Sequence, residues 1–494
     1  MSFTTGSIRH AVRSLRQTPA TTIAALACIA LGIGATATTF SAVNRALLTP
    51  PPFREPDQLV SLFRTTPFFQ DGPFAPATFE DLAARARTLT GLAAVDFGVG
   101  VVEEREGSYR VRSYSISGIG FQLLGVAPLR GRLLSADDGR PDAPAAVVLS
   151  EELWRDRFGA DEGVLGKTVR LNGEQVTIVG VLPRGFRVIH GGTVLQSDLW
   201  KALRFSPEQR SVRRNSLRLF GRLAPGATVT AAAADLDRIM QDIVAEDPDL
   251  QGQGIRIGGL AEEGIRSLRQ PLWLMLGAVA LVLLVASGNV ASLLLARGAT
   301  QRRELAIRSA LGASRRDLIS GTMLESAVLV AIGSALGMGL AWVGVRLIGA
   351  LAAAQMPQLD GLSIDLRVVL FAFGLAVLVS TLCGLIPAIR ASEVAPFEAM
   401  QSGARSGGTP GQHRFLRLLT VGEVALSIVL LIGSGLVAKG FLRLVTAPAG
   451  FDTERILAAT ITVPADRYPE GKTVEQLLEP VLDGIRRIPG VEQA

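Results

Sequence analysis

The sequence contains very little cysteine and histidine. There are two cysteines and three histidines in 494 residues. Cys28 and Cys383 lie inside apolar runs, where each acts as a small apolar filler, so they cannot build a disulfide framework or a thiolate zinc site. His10, His190 and His413 are far apart in the sequence. We therefore expect no metal centre, and no cofactor bound by this chain.

Lysines, aromatic residues and charged residues in general are also scarce. Four lysines occur, aromatic residues make up 5% of the chain and charged residues 19%. The positive charge behind the net +6 is therefore almost entirely arginine, and much of it lies beside apolar runs. Because nucleic-acid grooves combine basic with aromatic side chains, we expect no nucleic-acid partner.

Enzyme motifs are missing as well. The sequence has no G-x-S-x-G elbow, no H-E-x-x-H and no paired-cysteine zinc spacing. Gly166–Thr168 has the tail of a phosphate-binding loop, but the required glycine five residues earlier is Asp161. We expect a turn into a β-hairpin there, and a solvated loop at Asp137 and Asp138. The sequence therefore predicts no enzymatic activity.

Long apolar runs, by contrast, are abundant. Hydrophobic residues make up 48% of the chain and the mean hydropathy is +0.35. About 20 apolar residues cross the roughly 30 Å hydrocarbon core of a bilayer, and five segments meet this condition. The predicted order is a cytoplasmic amphipathic leader (1–20), span one (21–48), an outer domain (49–268), span two (271–296), a cytoplasmic loop (297–325), span three (326–345), a short outer loop (346–367), span four (368–389), a cytoplasmic linker (390–417), span five (418–439) and a second outer segment (440–494).

Arginines orient these spans. Arg9, Arg13 and Arg16 precede span one with no acidic residue among them, and arginine-rich stretches also follow spans two and four. Under the positive-inside rule all three stretches are cytoplasmic, which places the N-terminus inside and residues 49–268 in the periplasm. A cleaved signal peptide is the alternative for span one, although its apolar run is longer than a typical signal core.

The outer domain has the composition of a soluble α/β domain. Asn172-Gly173 lies between two β-prone runs within Arg170–Val181 and predicts a hairpin. Ser150–Arg157 predicts a short helix that begins at a serine cap. Thr228–Ala245 predicts an amphipathic helix. Its apolar face carries Leu236, Ile239, Met240 and Ile243.

Several stretches share the pattern of one protein family. Ser7–Pro50 is a basic leader followed by a Gly- and Ala-rich apolar run, and Phe121–Asp138, Leu149–Gly159 and Leu165–Phe186 add three dense matches. Together they resemble the MacB/FtsX-type permeases of ABC transporters, and most of all the duplicated orphan permeases that lack a fused ATPase. The resemblance implies an α-helical polytopic membrane protein with an inserted α/β periplasmic domain. This fold combines a MacB-like periplasmic core domain with an FtsX-like transmembrane domain.

The loop between spans two and three resembles the FtsX-type segment that docks the ATPase. The pattern itself favours a short amphipathic helix at the membrane surface, ended by a glycine. On charge alone the segment could equally be a positive-inside anchor, and the coupling role is implied by the resemblance. The residues predicted to couple to the ATPase are Arg302, Arg303, Glu304, Arg308, Leu311, Gly312, Arg315 and Arg316.

Span three carries Gly333 and Gly337, a G-x-x-x-G spacing. Glycines at this spacing allow two helix backbones to approach closely. We therefore predict helix packing at this pair. The sequence does not identify the partner helix, because such spacings are frequent in glycine-rich spans.

The pattern restarts after about Phe415. A basic flank leads into span five as it leads into span one, and a second outer segment with a predicted helix at Val474–Ile488 follows. Gly403–Gly411 is predicted to be a flexible linker between the two halves. The resembled family continues with three more spans, so we expect a truncated second repeat.

The resemblance implies a permease subunit of an ABC transporter in the bacterial inner membrane. ATP is then hydrolysed by a separate ABC ATPase, and the permease couples this to export or to mechanical work on periplasmic partners. The expected partners are the ATPase, membrane lipid and a periplasmic adaptor, with a homodimer, or a pseudo-dimer through the internal repeat, as the assembly.

Three other functions compete with this one. A membrane-anchored sensor or scaffold that binds a ligand is the main alternative, although five spans exceed what an anchor requires. A membrane-embedded enzyme requires ionisable residues within the spans, and Glu423 is nearly alone there. A division-type FtsX that activates a wall hydrolase is disfavoured by the large outer domain.

Overall fold

The structure is a computed structural model that describes residues 13, 16–104, 107–191, 193–205, 210, 215–310, 315–352, 361–391, 410–447 and 477–491. Within the helices and strands, residues 104, 189, 295–310, 315–319, 322, 351–352, 385–391, 410–413, 415–416, 419 and 444 are described for the backbone alone. The chain forms two compact units. One comprises residues 1–49 and 268–454, and the other comprises residues 50–267 and 455–494.

Helices dominate the first unit, and strands with short helices form the second. The described α-helices are α1 (Pro19–Val43), α2 (Pro76–Arg85), α3 (Gly120–Leu124), α4 (Glu151–Phe158), α5 (Val229–Glu246), α6 (Leu260–Ala310), α7 (Arg315–Ala352), α8 (Leu366–Ala391), α9 (Pro410–Val445) and α10 (Glu479–Arg486). The described strands are β1 (Leu59–Thr65), β2 (Leu89–Asp96), β3 (Val99–Glu104), β4 (Gly107–Ile116), β5 (Arg130–Gly131), β6 (Ala146–Leu149), β7 (Thr168–Leu171), β8 (Glu174–Val181), β9 (Val188–His190), β10 (Thr193–Leu195), β11 (Leu199–Ala202), β12 (Arg218–Leu223) and β13 (Gly254–Gly259).

Within the described residues, five helices are long and apolar enough to cross a bilayer. Their apolar stretches are Pro19–Leu48, Leu260–Leu294, Met323–Ala350, Leu366–Gly384 and Thr420–Arg443. Each lies where the hydropathy of the sequence places a span. A helix satisfies its own backbone hydrogen bonds, which lipid cannot do, and this is why an apolar run in a membrane adopts this form.

The second span differs from its prediction in length. The sequence gives 271–296, whereas α6 continues without a break from Leu260 to Ala310. Between residues 296 and 310 the strongest interruption is Gly298, and one glycine weakens a helix by only about 1 kcal/mol. Hydropathy identifies the part of a helix that is apolar enough to lie in lipid. It does not predict how far the helix continues into water.

The strands of the second unit form one eleven-stranded sheet and a separate β9–β10 hairpin. The strand order is β11-β6-β8-β7-β3-β4-β2-β12-β1-β13, and β5 pairs with β8. Strand β11 pairs with β6 and also with β4, so six strands close into a ring. Strands β2, β12, β1 and β13 extend this ring as an open sheet.

Two apolar clusters cover the faces of the open sheet. On one face, Leu82 of α2 and Leu236 and Ile239 of α5 pack against residues of β1, β2 and β12. On the other face, Trp200 packs edge-on against Phe121 and Phe186, with ring centroids 5.9 and 5.8 Å apart. Such aromatic pairs add to the stability gained from burial alone.

Local predictions for this unit are confirmed. Strands β7 and β8 pair antiparallel across Asn172 and Gly173, whose φ angles of 52° and 82° suit a two-residue hairpin turn. Helix α4 begins after Ser150, whose side chain accepts from the Leu153 N–H at 3.1 Å. Helix α5 begins after Thr228 and buries its predicted apolar face.

The segment that resembles the tail of a phosphate-binding loop, Gly166–Thr168, leads into strand β7 of the hairpin, as predicted. Lys167 Nζ lies 2.8 Å from Asp161 Oδ2, so the lysine is neutralised by the residue that replaces the glycine of such loops. Thr168 begins strand β7 and not a helix. A phosphate would find neither a free lysine nor a helix N-terminus here.

The prediction of a solvated loop at Asp137 and Asp138 is wrong for Asp138. Arg132 donates to both of its carboxylate oxygens at 2.7 and 2.8 Å, and the Ser135 N–H donates to it at 2.8 Å. Ser135 begins a 3₁₀ turn with a capping box, which directs the carboxylate inward. The Arg132 guanidinium and the Ser135 donors lower the pKa of Asp138 to about 2.

Asp138→Asn should destabilise the protein at neutral pH and flatten its pH dependence. The pKa of this carboxyl falls from 3.8 to about 2 on folding. Its stabilisation is therefore complete above pH ~4 and is lost as the pH falls toward ~2. Because Arg132 is partly exposed, we expect a loss of about 1–2 kcal/mol.

Thermal unfolding of the full chain in detergent, followed by tryptophan fluorescence from pH 7 to pH 2.5, measures this effect. Asp137→Asn is the matched control, because the Asp137 side chain is 85% exposed. Equal acid sensitivity in the wild type and the Asp138 variant would contradict the assignment.

Candidate functional site

The predicted coupling residues fall within residues 302–316, named here the α6–α7 segment. The backbone at Arg302, Arg303, Glu304 and Arg308 forms the last turns of α6, and Arg315 and Arg316 begin α7. Leu311 and Gly312 lie outside the described residues. The expected separate helix at the membrane surface is therefore corrected: residues 302–310 continue the helix of the second span. No helix-breaking residue separates the two segments.

Close backbone contacts join α1 to α7. A Cβ atom built on Gly337 would lie 2.9 Å from the Ala30 carbonyl oxygen and 3.2 Å from the Gly34 nitrogen. A Cβ atom on Gly34 would in turn lie 2.9 Å from the Gly337 carbonyl oxygen. Both 2.9 Å distances are too short for a real side chain. The two backbones touch at this point because neither residue has a side chain.

The same contact extends along both helices. A Cβ atom on Gly333 would lie 2.7 Å from Ile29 Cγ2, and one on Gly344 would lie 2.9 Å from Thr38 Oγ1. The predicted pair therefore faces the first span. Gly339 points elsewhere, because a Cβ atom built on it would have no neighbouring heavy atom within 4 Å.

The sequence did not identify Gly34 as the partner of this contact. A signal was present, because every residue of the run Gly32–Ala37 except Ile33 is small. The hydroxyls of Thr36 and Thr38 donate to the carbonyl oxygens four residues earlier at 2.7 and 2.8 Å. These hydroxyls are thus satisfied within their own helix by the carbonyl oxygens of Gly32 and Gly34, and they place no side chain over Gly34.

A polar junction joins the end of α1 to the start of α8. Asn44 Nδ2 donates to Asp365 Oδ2 at 2.7 Å, and the Val368 N–H donates to Asp365 Oδ1 at 3.0 Å. Arg367 Nη1 donates to the Leu48 carbonyl oxygen at 3.1 Å. Asp365 therefore caps helix α8 with one carboxylate oxygen and binds Asn44 of the first span with the other. The residues around Asn44 form a short π-helical segment, Asn44–Leu48.

Metal chemistry finds no support in the part of the chain that the structure describes. No group of three or more His, Cys, Asp or Glu side chains there could hold an ion. His190 is buried, and its Nε2 lies 2.8 Å from the Leu219 carbonyl oxygen. Burial lowers the pKa of His190 to about 4, so the ring is neutral at physiological pH. It serves as a core residue.

Two family models match the chain. The MacB-like periplasmic core domain matches residues 22–239, and the FtsX-like permease C-terminal domain matches residues 276–396. The first includes most of α1 and most of the sheet, and the second includes α7 and the α6–α7 segment. The chain belongs to the MacB/FtsX-type family of ABC transporter permeases. It is a multi-pass membrane protein with a periplasmic α/β domain inserted between helical spans.

Curated relatives are distant in sequence. The macrolide export ATP-binding/permease protein MacB of Neisseria gonorrhoeae is 23% identical over 290 residues, which cover 58% of this chain and 43% of that protein. The uncharacterized ABC transporter permease YvrN of Bacillus subtilis is 27% identical over 301 residues, which cover 58% of this chain and 69% of that protein. The chain thus matches less than half the length of MacB.

Solved structures of outer domains also match. The periplasmic region of MacB from Actinobacillus actinomycetemcomitans is 17% identical, with a TM-score of 0.31, and the match covers 44% of this chain and 92% of that one. The extracellular domain of the transporter YknZ from Gram-positive bacteria is 14% identical, with a TM-score of 0.30, and the match covers 40% and 99% of the two chains.

Gly337→Ala should destabilise this MacB/FtsX-type permease. The added methyl group meets backbone atoms at 2.9 and 3.2 Å, and these atoms cannot move aside as a side chain would. Overpacking of this kind costs about 1–3 kcal/mol. Gly339→Ala, two residues away in an open position, should have no such effect.

Both variants can be compared by thermal unfolding in detergent and by the fraction that stays monodisperse. We expect a lower midpoint for Gly337→Ala alone. Equal midpoints for the two variants would show that α1 does not pack against α7 at this glycine.

Proposed function

We propose that this chain is the permease subunit of an ABC transporter complex. In this proposal it couples ATP hydrolysis by a separate ATPase to export or to mechanical work on periplasmic partners. The FtsX-like match over residues 276–396 carries the proposal, because it contains the α6–α7 segment predicted to meet the ATPase. The chain itself then binds no ATP and catalyses no reaction.

The proposed coupling is a shift between two states of the helical unit. ATP can drive such a shift only if the ATP-bound partner binds one state more tightly than the other. We propose that the ATPase distinguishes the two states by binding the α6–α7 segment. The helices on both sides of this segment continue directly into spans two and three. The glycine contact between α1 and α7 supports the transmission of movement, since closely packed elements move as rigid bodies.

Localisation and partners follow from the same proposal. We place the protein in the bacterial inner membrane, with the N-terminus and the α6–α7 segment in the cytoplasm. A periplasmic adaptor is a further proposed partner, because the MacB relatives are exporters with a periplasmic region. A homodimer, or a pseudo-dimer formed by the internal repeat, is the proposed assembly.

Reversing the charges of Glu304 and Arg308 together should uncouple the permease from its ATPase. The two reversals place like charges opposite the partner's docking surface, which costs several kcal/mol at a protein interface. We expect stimulation of ATP hydrolysis by the permease to fall roughly tenfold or more. The measurement uses the ATPase that co-purifies with the chain, reconstituted with it in proteoliposomes.

The matched control reverses an exposed pair in the outer domain, Arg140→Glu with Asp142→Arg, whose charged groups lie 3.7 Å apart. The control should stimulate like the wild type. If the double variant at Glu304 and Arg308 stimulates ATP hydrolysis as the wild type does, coupling at the α6–α7 segment is contradicted. Failure of any ATPase to co-purify would instead favour a membrane-anchored sensor or scaffold.

The proposed topology predicts which cysteines a membrane-impermeant maleimide can reach in intact cells. In a background without Cys28 and Cys383, Gln175→Cys in the exposed β7–β8 hairpin should label once the outer membrane is permeabilised. Gln301→Cys, next to the proposed coupling residues, should label only after the inner membrane is broken. The reverse pattern, or labelling of both in intact spheroplasts, would overturn the proposed orientation.

A further inference from the structure

An aromatic tip follows strand β1 in the outer domain. Residues 66–72, named here the Phe68 loop, include the sequence Pro-Phe-Phe. Phe68 is 94% exposed and Phe69 is 43% exposed. Single exposed apolar side chains are common on protein surfaces. This one is distinguished by the ordered turn that carries it and by the charged residues beside it.

The Phe68 loop is held by many internal bonds. The Thr66 N–H donates to the Phe69 carbonyl oxygen at 2.8 Å, and the N–H groups of Phe68 and Phe69 both point to Thr66 Oγ1 at 3.3 and 3.2 Å. Gly72 and Arg64 exchange two backbone hydrogen bonds of 2.8 and 2.9 Å. The guanidinium of Arg64 lies 4.9 Å from the centre of the Phe69 ring. Phe68 therefore projects from an ordered turn.

Ion pairs join the Phe68 loop to the start of α6. The carboxylate of Asp71 binds the guanidinium of Arg256 and lies 3.9 Å from Arg266 Nη1. Arg266 lies on α6, five residues before Pro271, where the apolar run of the second span begins. At 1.5 Å per residue, only about 7.5 Å of helix separates that arginine from the run.

The directions of β1, β13 and the first turns of α6 also bring the Phe68 loop close to the start of α6. Strand β13 is antiparallel to β1, with Val60 opposite Gly259 and Thr65 opposite Gly254. Helix α6 follows β13 and turns back along it, because Glu263 pairs with Arg256, in the middle of that strand. The first turns of α6 therefore run in the same direction as β1. The Phe68 loop, which follows β1, therefore lies beside the first turns of α6, where Asp71 meets Arg266.

We propose that the Phe68 loop binds the outer surface of the lipid bilayer, with Phe68 inserted among the head groups and upper acyl chains. Phenylalanine is among the residues that segments lying on a membrane bury at the boundary between head groups and acyl chains. The exposed Arg266 beside the loop can reach lipid phosphates while its stem lies along apolar surface. The loop is then a second membrane contact of the periplasmic domain besides its covalent spans, and it requires no ATPase.

Lipid fits this tip better than a protein partner does. The exposed surface is one projecting ring with few neighbours, whereas protein interfaces are built on broad, packed patches of aromatic and arginine side chains. Its carboxylate, on Asp71, is already paired with arginines, so no unpaired negative charge in the loop opposes insertion among anionic head groups.

The test uses the full chain in single-copy lipid nanodiscs containing phosphatidylethanolamine and phosphatidylglycerol. Phe68→Cys, in a background without Cys28 and Cys383, carries an environment-sensitive fluorophore. We expect a blue-shifted emission and at least threefold stronger quenching by lipids spin-labelled near the head group than by a water-soluble nitroxide.

The matched control is Pro225→Cys, in the exposed turn after β12. Because Arg222 of β12 lies opposite Leu59 at the start of β1, this turn is at the other end of the sheet from the Phe68 loop. The control fluorophore should be quenched mainly by the water-soluble nitroxide. Asp71→Ala, which frees the loop from its arginines, should reduce the lipid quenching at position 68.

Two outcomes would overturn the proposal. A fluorophore at position 68 that behaves like the one at position 225 would show that the tip stays in water. The second outcome is a blue shift without lipid quenching that appears only when several copies share a nanodisc or when a periplasmic protein is added. This result would show that the tip binds a protein and not lipid. Since no ATPase is present, neither outcome depends on the proposed coupling.

Discussion

The helical unit depends on the approach of two backbones at Gly34 and Gly337. Within lipid, helices gain no hydrophobic free energy by meeting, because lipid tails are as apolar as leucine. Association relies instead on van der Waals packing, interhelical hydrogen bonds and lipid entropy, and close packing requires atoms within about 4 Å. The two glycines provide it by removing the side chains that would hold the helices apart. The apolar packing of α1, α6, α7 and α8 is built around this contact.

The outer unit is stabilised by a different force. In water, burial of apolar surface drives folding, and the clusters around Trp200 and around α5 supply that surface. Polar side chains then fix local geometry, as Ser135 and Arg132 do around Asp138. A family that exposes one unit to lipid and the other to water therefore needs two kinds of sequence in one chain. The charge-poor runs and the α/β segment are those two kinds.

Much of this could be predicted from sequence because the signals are local. Hydropathy alone locates the spans, and Asn172-Gly173 determines its hairpin by turn chemistry. Features that depend on tertiary contact could not be predicted. Gly34 is one small residue among several until α7 is placed against it, and Asp138 looks solvated until Arg132 is brought to it. The length of α6 was missed because helix continuation in water leaves no hydropathy signal.

Disulfide trapping of the first span against the third tests the central claim most directly. A Cβ atom built on Gly344 would lie 3.6 Å from Thr38 Cβ, which is within the range of a disulfide. In a background without Cys28 and Cys383, with a protease site inserted between Pro225 and Gly226, Thr38→Cys with Gly344→Cys should oxidise in native membranes. The cleaved halves should then stay joined on a non-reducing gel, while Thr38→Cys with Gly339→Cys should separate. Separation of both pairs, or joining of both, would contradict the glycine contact on which the packing of the helical unit rests.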